Sequence, residues 1–270
     1  MKERPGDESE WVVKRKRKRL LFSVVIIFLL SLFLSGCALG HSAWWKEEVL
    51  LHDGQTIIVD RSRKLGGYRY VDSRNRSILE EKWKFPVPGT YKFVTWKVNQ
   101  ELPPKGTPLM LVTIGFIHGT PYIATVPAGC ISYNYWGRPN PPYVFFKYDG
   151  QTWQRIKLEE FPMELTEANV VVGSPKPYNQ TGTLTIAQVK GENRYLAAHL
   201  KKIARERLSA REASEVGCPF EIYDGTYWRG AGSLLRQSTY EECLNECLRI
   251  DIKEEYCPCD KLFKNKTGGN

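Results

Sequence analysis

The feature that most constrains this chain of 270 residues is a single uncharged run near its start. Six consecutive cations at residues 14–19 come directly before residues 20–40, which carry no charge. Residues 20–34 are nearly all Leu, Ile, Val and Phe. A basic segment followed by an apolar core of roughly 7–15 residues is typical of a secretory signal. We therefore expect export, with residues 1–36 acting as the signal peptide.

The run ends at residues 34–37 in the tetrapeptide Leu-Ser-Gly-Cys, which resembles the lipobox of bacterial lipoproteins. In that motif the chain is cut just before the cysteine, whose thiol receives a diacylglycerol. The resemblance implies cleavage between Gly36 and Cys37, lipid attachment at Cys37, and a lipidated tether over residues 37–43. Ala38 is similar to the pattern sorted to the outer membrane. We expect a lipid-anchored protein of the bacterial cell envelope that faces the periplasm.

An uncleaved transmembrane helix is the alternative for the same run. The twenty-one uncharged residues would rise about 1.5 Å each and cover about 30 Å, which is enough to cross a bilayer. Both interpretations keep the six cations on the cytoplasmic side. A cysteine at the end of a chance apolar segment is less expected, so the lipid anchor is favoured.

Charge and motifs exclude several functional classes. The whole chain carries a net charge of +9, and removal of residues 1–36, with eight cations and four anions, leaves +5. A net positive charge this small does not indicate a nucleic-acid partner. The sequence contains no Gly-x-Ser-x-Gly, no His-Glu-x-x-His, no phosphate loop and no dinucleotide-binding glycine pattern. We therefore predict no catalytic residue, cofactor or metal ligand, and a periplasmic enzyme acting on an envelope polymer stays the alternative.

Residues 44–172 have the pattern of a β-rich domain. The clearest hairpin joins residues 143–148 to residues 152–158 across Asp149-Gly150, and Asp53-Gly54 is a second type I′ turn signal. The apolar run at residues 109–117 predicts a central strand. Short strands separated by turns predict an antiparallel sandwich or open barrel.

The rest of the chain predicts an α+β fold overall. Residues 173–215 begin with a Pro- and Gly-rich linker. They continue with apolar residues at helical spacing, which predict an amphipathic helix: Leu196, Leu200, Ile203, Ala204 and Leu208. Residues 216–270 predict a small cysteine-rich module with a polar tail. It holds a hairpin at Asp224-Gly225 and a helix that ends at Arg249, started by a capping box of Ser238 with Glu241 or Thr239 with Glu242.

Six cysteines remain besides Cys37, and an even set in an exported protein indicates disulfides. They are Cys130, Cys218, Cys243, Cys247, Cys257 and Cys259. Cys243 and Cys247 lie one helical turn apart, so each is expected to bridge to another element. A return strand after the helix would pair Cys243 with Cys259 and Cys247 with Cys257 and leave Cys130 for Cys218, which is one of fifteen possible connectivities. Zinc is the rival interpretation for the last four thiols, but the two-residue spacing of zinc knuckles is absent.

The most unusual segment is Tyr-Asn-Tyr-Trp-Gly-Arg-Pro-Asn-Pro-Pro-Tyr-Val-Phe-Phe at residues 133–146, followed by Lys-Tyr-Asp-Gly. It resembles a segment of an uncharacterised family of predicted bacterial lipoproteins, to which no activity is attached. Three prolines stiffen it, which lowers the entropy lost on binding. Its residues of types enriched in binding hot spots form a candidate binding loop: Tyr133, Tyr135, Trp136, Arg138 and Tyr143.

Two roles are open for this loop. Its aromatics either bind a partner or pack against the end of the sheet. With the first role, the chain is a non-enzymatic binding or scaffold module that is held to the membrane by its lipid. Its expected partner is an envelope protein or polymer.

Overall fold

Two larger β-sheets and a small module of one hairpin and two helices make up the part of the chain that the structure describes. The structure is a computed structural model, and it describes residues 41–69, 76–99, 104, 107–175, 182–213 and 217–263. The predicted signal peptide, Cys37 and the polar tail after residue 263 lie outside the described residues. Among the residues described, no helix is both long and apolar enough to cross a membrane.

The described residues confirm the predicted α+β fold class, with mostly antiparallel strands and few helices. The strands are β1 (His41–Leu50), β2 (Thr56–Arg69), β3 (Arg76–Pro86), β4 (Phe93–Asn99), β5 (Leu109–Ile117), β6 (Thr120–Pro127), β7 (Val144–Tyr148), β8 (Trp153–Ile156), β9 (Thr183–Leu184), β10 (Glu221–Tyr223) and β11 (Trp228–Gly230). The α-helices are α1 (Cys130–Tyr135), α2 (Ile186–Glu192), α3 (Tyr240–Arg249) and α4 (Cys259–Phe263).

The first sheet has the strand order β4-β3-β2-β1-β9, and its two faces differ in polarity. β2, β3 and β4 pair antiparallel, while the two-residue β9 pairs parallel with β1. Successive side chains of a strand point to opposite faces. In β4, Val94 and Trp96 are therefore buried while Lys97 is exposed. The sheet has an apolar inner face and an outer face open to solvent.

The second sheet has the order β5-β6-β7-β8, with every pair antiparallel. The prediction of a central strand at residues 109–117 is wrong in position, because β5 lies at the end of this order. The sequence of β5 is nearly all apolar because other residues cover both faces of this strand. Ile114 faces the first sheet, Val112 packs with Phe161 and Leu165, and Asn169 hydrogen-bonds to the backbone of Ile114.

The two sheets pack face to face through one large apolar cluster, so the β-rich domain is a sandwich. The first sheet contributes Trp83, Phe85 and Trp96 to this cluster. The second contributes Ile123 and Phe146, and the ring of Phe146 lies 4.4 Å from that of Trp96. Large aromatic side chains dominate burial in such cores. This cluster positions both sheets and the turns between their strands.

A buried ionic cluster continues the inner face of the first sheet beyond the apolar core. The fully buried Arg61 donates to Glu47 Oε1 at 3.1 Å, to Glu81 Oε1 at 2.9 Å and to the carbonyl of Val171 at 2.5 Å. It also donates to the carbonyl of Gly173 at 3.1 Å. A buried charge is tolerated when it is paired and hydrogen-bonded in this way. The start of the predicted linker is therefore fastened to the sheet.

Asp53-Gly54 and Asp149-Gly150 both lie in turns between strands as predicted, but neither turn has the predicted type I′ geometry. Gly54 N donates to the carbonyl of Leu51, and Gly54 has a φ of 85°, so this hairpin has a three-residue loop. Between β7 and β8, Asp149 N donates to the carbonyl of Thr152 at 3.1 Å, so this loop has two residues, Gly150 and Gln151. Asp149 Oδ1 accepts from the backbone N–H of both Gln151 and Thr152, which satisfies the turn with a side chain.

The amphipathic helix predicted from Leu196 to Leu208 is wrong. The segment that contains these residues has only a short 3₁₀ turn at Ala198–Leu200, and the α-helix nearby is α2. The backbone is instead paired with a neighbouring segment: Ile203 N donates to Thr166 O at 2.8 Å. Ile203 is buried on the second sheet in this arrangement. Tertiary pairing has overridden a helical spacing, as it often does for weak local preferences.

The C-terminal module, residues 217–263, is built from β10, β11, α3 and α4 around a small core of its own. Thr239 accepts from Glu242 N and completes the capping box that starts α3, which ends at Arg249 as predicted. The structure forms three disulfides with the expected pairing: Cys130–Cys218, Cys243–Cys259 and Cys247–Cys257. Two of them close the module, and the third joins it to α1 in the sandwich.

Candidate functional site

Two residues of the predicted binding loop are buried. Tyr133 and Tyr143 are both 3% exposed. The phenol of Tyr143 donates to the carbonyl of His199 at 2.7 Å and accepts from Ala204 N at 3.0 Å. Burial raises the pKa of this phenol. Tyr143 therefore fastens the segment around His199 to the sandwich, and its hydroxyl is not available to a ligand.

Arg138 joins the sandwich to the C-terminal module. Its guanidinium donates to Asn134 Oδ1 at 3.0 Å and to the carbonyls of Cys218 and Pro219, both at 3.3 Å. The same group lies over the ring of Tyr133, 4.9 Å from its centroid. Charge-assisted hydrogen bonds of this kind are among the stronger ones in proteins. Arg138 and the disulfide Cys130–Cys218 therefore both hold the C-terminal module against the sandwich.

Trp136 lies half-buried between the loop and the second sheet. Its indole Nε1 donates to the carbonyl of Thr107 at 3.3 Å, and its ring meets Phe146 edge-on with centroids 6.0 Å apart. The guanidinium of Arg155 lies 5.4 Å from the centroid of the Trp136 ring and donates to Trp136 O. One side of the indole is therefore packed.

Tyr135 is the predicted loop residue that the structure leaves exposed, at 46% of its surface. Its ring meets Trp136 edge-on at 5.2 Å and Trp228 of the module at 6.5 Å. Trp228 in turn lies 5.7 Å from Tyr223. These four rings, Tyr135, Trp136, Tyr223 and Trp228, form a row across the contact between sandwich and module, which we call the aromatic junction. Tyr227, 68% exposed, lies in the hairpin loop beside it.

One sequence motif includes the two module residues in this row. The pattern Tyr-Asp-Gly-x-x-Trp occurs at residues 148–153 and again at residues 223–228. In the sandwich copy, Trp153 is packed against Trp96 with centroids 5.4 Å apart. In the module copy, Trp228 faces Tyr135 instead. The same hairpin sequence thus packs on the sandwich core in one copy and on Tyr135 in the other.

Asp224 holds the module hairpin in the shape that presents Trp228. Its carboxylate accepts from the backbone N–H of Tyr227 and Thr226 and pairs with the side chain of Arg229. The backbone hydrogen bond from Tyr227, the ion pair with Arg229 and the bond from Thr226 lower the pKa of Asp224 to about 2. A carboxylate held this strongly is charged at any neutral pH.

Ionisable groups near the loop do not form a catalytic set. Burial lowers the pKa of His199, and hydrogen bonds from Ser209 lower that of Glu212. Both residues line a cavity of about 540 Å³. The adjacent Arg205 donates to three backbone carbonyls, and the Tyr143 hydroxyl is bonded to backbone on both sides. Arg205 and Tyr143 therefore hold the chain, and the Glu212 carboxylate accepts from the Ser209 hydroxyl at 2.7 Å.

The four cysteines of the module are the described group whose positions suit a metal ion. The sulfurs of Cys243, Cys247, Cys257 and Cys259 all lie within 4.8 Å of one another. Each is bonded in a disulfide, however, and a metal ligand must be a free thiolate. The arrangement therefore supports the predicted disulfides over the rival zinc site.

The aromatic junction is the strongest candidate for a functional surface among the described residues. It joins the exposed ring of Tyr135 to partly buried rings of the module, and the disulfide between these two parts of the chain connects residues 88 apart. Tyr, Trp and Arg are the residue types most enriched where proteins bind partners. Comparisons of the chain with protein-family models, with curated proteins and with solved structures found no match.

Proposed function

We propose that this protein is a lipid-anchored, non-enzymatic binding module of the bacterial cell envelope. It is tethered through Cys37 to the outer membrane and faces the periplasm. Three observations support the proposal: the signal pattern, the lipobox resemblance and the pairing of the other six cysteines. Disulfides form and persist in oxidising compartments such as the periplasm. The resemblance of residues 133–146 to a family of predicted bacterial lipoproteins supports the same assignment.

The observation that carries the binding role is the exposed ring of Tyr135 between Trp136 and Trp228. Aromatic side chains offer large contact areas and have few rotatable bonds to immobilise. The junction is also preorganised, because Arg138 and the disulfide Cys130–Cys218 fix its two halves. A preorganised surface loses less entropy on binding. The partner that this composition favours is another envelope protein.

The anchoring half of the proposal is tested by metabolic labelling with palmitate. The wild-type chain should incorporate the label and lose residues 1–36. Cys37→Ala should abolish both changes, because the thiol is the lipid acceptor. Wild-type protein that takes up no palmitate and keeps its first residues would contradict the lipid anchor and favour the transmembrane alternative.

The binding half is tested by crosslinking in intact cells followed by purification of the tagged protein. Tyr135→Ala with Trp228→Ala should remove the crosslinked envelope protein and leave the melting temperature almost unchanged. Tyr91→Ala with Tyr195→Ala is the matched control, since both tyrosines are exposed and lie outside the junction. Equal crosslinking in both variants would contradict the role of the junction. The partner would instead be a polymer if the wild type showed no crosslinked protein but cosedimented with purified cell-wall polymer, and if the Tyr135→Ala, Trp228→Ala variant did not cosediment.

A further inference from the structure

The outer face of the first sheet carries a cluster of lysines. Alternation along β1 to β4 places five lysines on this face: Lys46, Lys64, Lys82, Lys84 and Lys97. Three acidic residues share it, namely Glu48, Asp60 and Glu80. All eight alternate with buried residues on the inner face. The face is therefore basic, and its charge is concentrated on one side of the sandwich.

The acidic residues on this face already have partners. Asp60 pairs with Lys46 at 3.3 Å, and Glu80 pairs with Lys97 at 2.8 Å. Glu48 Oε2 accepts the backbone N–H of Ile186 at 3.1 Å. The positive excess consequently centres on β3, the strand between β4 and β2.

The register of the strands brings like charges together there. Lys82 of β3 lies directly opposite Lys97 of β4. Lys84, two residues on, lies opposite Thr95 on one side and Asp60 on the other. Like charges on directly opposite positions destabilise a sheet. An external anion over Lys82 would relieve its repulsion with Lys97, and Lys84 on the same strand lies beside that position.

Exposed apolar side chains accompany these lysines. Phe93 is 56% exposed, and Lys84 Nζ lies 4.6 Å from the centroid of its ring. Trp44 of β1 and Ile58 of β2 are 46% and 40% exposed on the same face. Aromatic rings and lysines together are characteristic of protein surfaces at the membrane–water interface.

The length of the chain before β1 limits how far this face can be from a membrane. The following step depends on the proposed lipid attachment at Cys37. β1 begins at His41, four residues later, and an extended chain covers about 3.5 Å per residue. The start of β1 is thus held within about 14 Å of the headgroups, which is close to the screening length of about 10 Å.

We propose that the outer face of the first sheet lies on an anionic phospholipid surface. Lys82 and Lys84 contact the headgroup phosphates, and Trp44 and Phe93 enter the interfacial layer. Each lysine near such a surface strengthens the association by about fivefold. The residues of the aromatic junction belong to α1, the loop after it and the module, so this orientation leaves them free for a partner.

The test is lysine footprinting of the mature, lipid-bearing protein as it is purified from membranes, placed in vesicles. One set contains phosphatidylcholine alone and the other also contains phosphatidylglycerol. A water-soluble acylating reagent and peptide mass spectrometry report the reactivity of each lysine. Lys82 and Lys84 should be protected severalfold in the anionic vesicles alone, and high salt should remove the protection. Lys157 and Lys253, exposed outside this sheet, should react equally in both sets.

A matched pair of variants sharpens the result. Lys82→Gln with Lys84→Gln should remove most of the protection of the neighbouring Lys97 in anionic vesicles. Lys157→Gln with Lys253→Gln should leave it as in the wild type. Equal reactivity of Lys82 and Lys84 in the two vesicle sets would overturn the proposal. Protection that high salt does not remove would overturn it as well. Palmitate labelling of the same protein separates failure of the anchor from failure of this face.

Discussion

The sandwich and the C-terminal module reach stability by different means. The sandwich buries large aromatic side chains between its sheets, Trp83, Phe85 and Trp96 among them. The buried core of the module consists of Ala231, Leu234, Ile252 and three cysteines. A segment as short as residues 217–263 cannot bury much apolar surface, and small domains of this kind are commonly stabilised by disulfides. Cross-links thus replace core volume where the chain is short.

Truncating the sandwich core should have the largest effect. Trp83 is fully buried, so Trp83→Ala should lower the free energy of unfolding by about 3–5 kcal/mol through lost burial and a cavity. Denaturant unfolding followed by circular dichroism measures the loss. Hydrogen exchange should show faster opening of β3 and β6, with α3 still protected. Equal loss of protection in α3 would show that the two regions share one core.

Removing a cross-link from the module should have the next largest effect. Cys243→Ser with Cys259→Ser opens a bridge between residues 16 apart, which constrains the unfolded chain by about 3 kcal/mol. Hydrogen exchange should then report the opening of α3, while the sandwich strands keep their protection. Cys130→Ser with Cys218→Ser is the control, because it leaves both bridges inside the module. A module that stays folded without Cys243 and Cys259 would contradict the dependence on cross-links.

The contact between the sandwich and the module should contribute less to the free energy of unfolding than the sandwich core or the module's cross-link. Trp136→Ala with Arg138→Ala removes packing on Phe146 and the hydrogen bonds to Cys218 and Pro219, which we expect to cost about 2 kcal/mol. Thermal unfolding measures this loss. Tyr135→Ala is the control within the same loop and should change stability by less than about 0.5 kcal/mol. If the double variant is as stable as the wild type, its two residues are not part of the packed contact.

The smallest effect should come from the two hairpin aspartates, and it depends on pH. Hydrogen bonds from Thr152 and Gln151 lower the pKa of Asp149 to about 2, and Asp224 is lowered to the same value. A lowered pKa means that the carboxylate stabilises the fold above about pH 4 and that this contribution is lost as pH falls towards 2. Asp149→Asn should flatten that acid dependence for the sandwich, and Asp224→Asn should flatten it for the module. NMR titration checks both pKa values, and ordinary values near 4 would contradict the account.

Local signals allowed part of the fold to be predicted. Alternating residues and Asp-Gly turns indicate the strands of the sandwich, and the capping box at Thr239 marks the start of α3. The helical positions of Cys243 and Cys247 indicated that each would bond to another element, and the pairing that forms is one of the fifteen that six cysteines allow. Each of these signals depends on residues close in sequence or on simple counting.

Features that depend on distant contacts were missed. The spacing from Leu196 to Leu208 is helical, yet Ile203 pairs with Thr166 and the segment follows the second sheet. The aromatic junction brings Tyr135 next to Trp228, residues that no local pattern connects. Only the repeated Tyr-Asp-Gly-x-x-Trp motif hinted at it, and the same motif in the sandwich packs into a core.

Mass spectrometry of the unreduced protein, purified from the native envelope, tests the lipid anchor and the cross-links together. The chain should begin at Cys37 with the added mass of a diacylglycerol. Digestion should yield the linked peptides Cys130–Cys218, Cys243–Cys259 and Cys247–Cys257. A chain that still carries residues 1–36 would contradict the lipid anchor. Four free thiols in the module, or one bound zinc ion per chain, would contradict its stabilisation by disulfides.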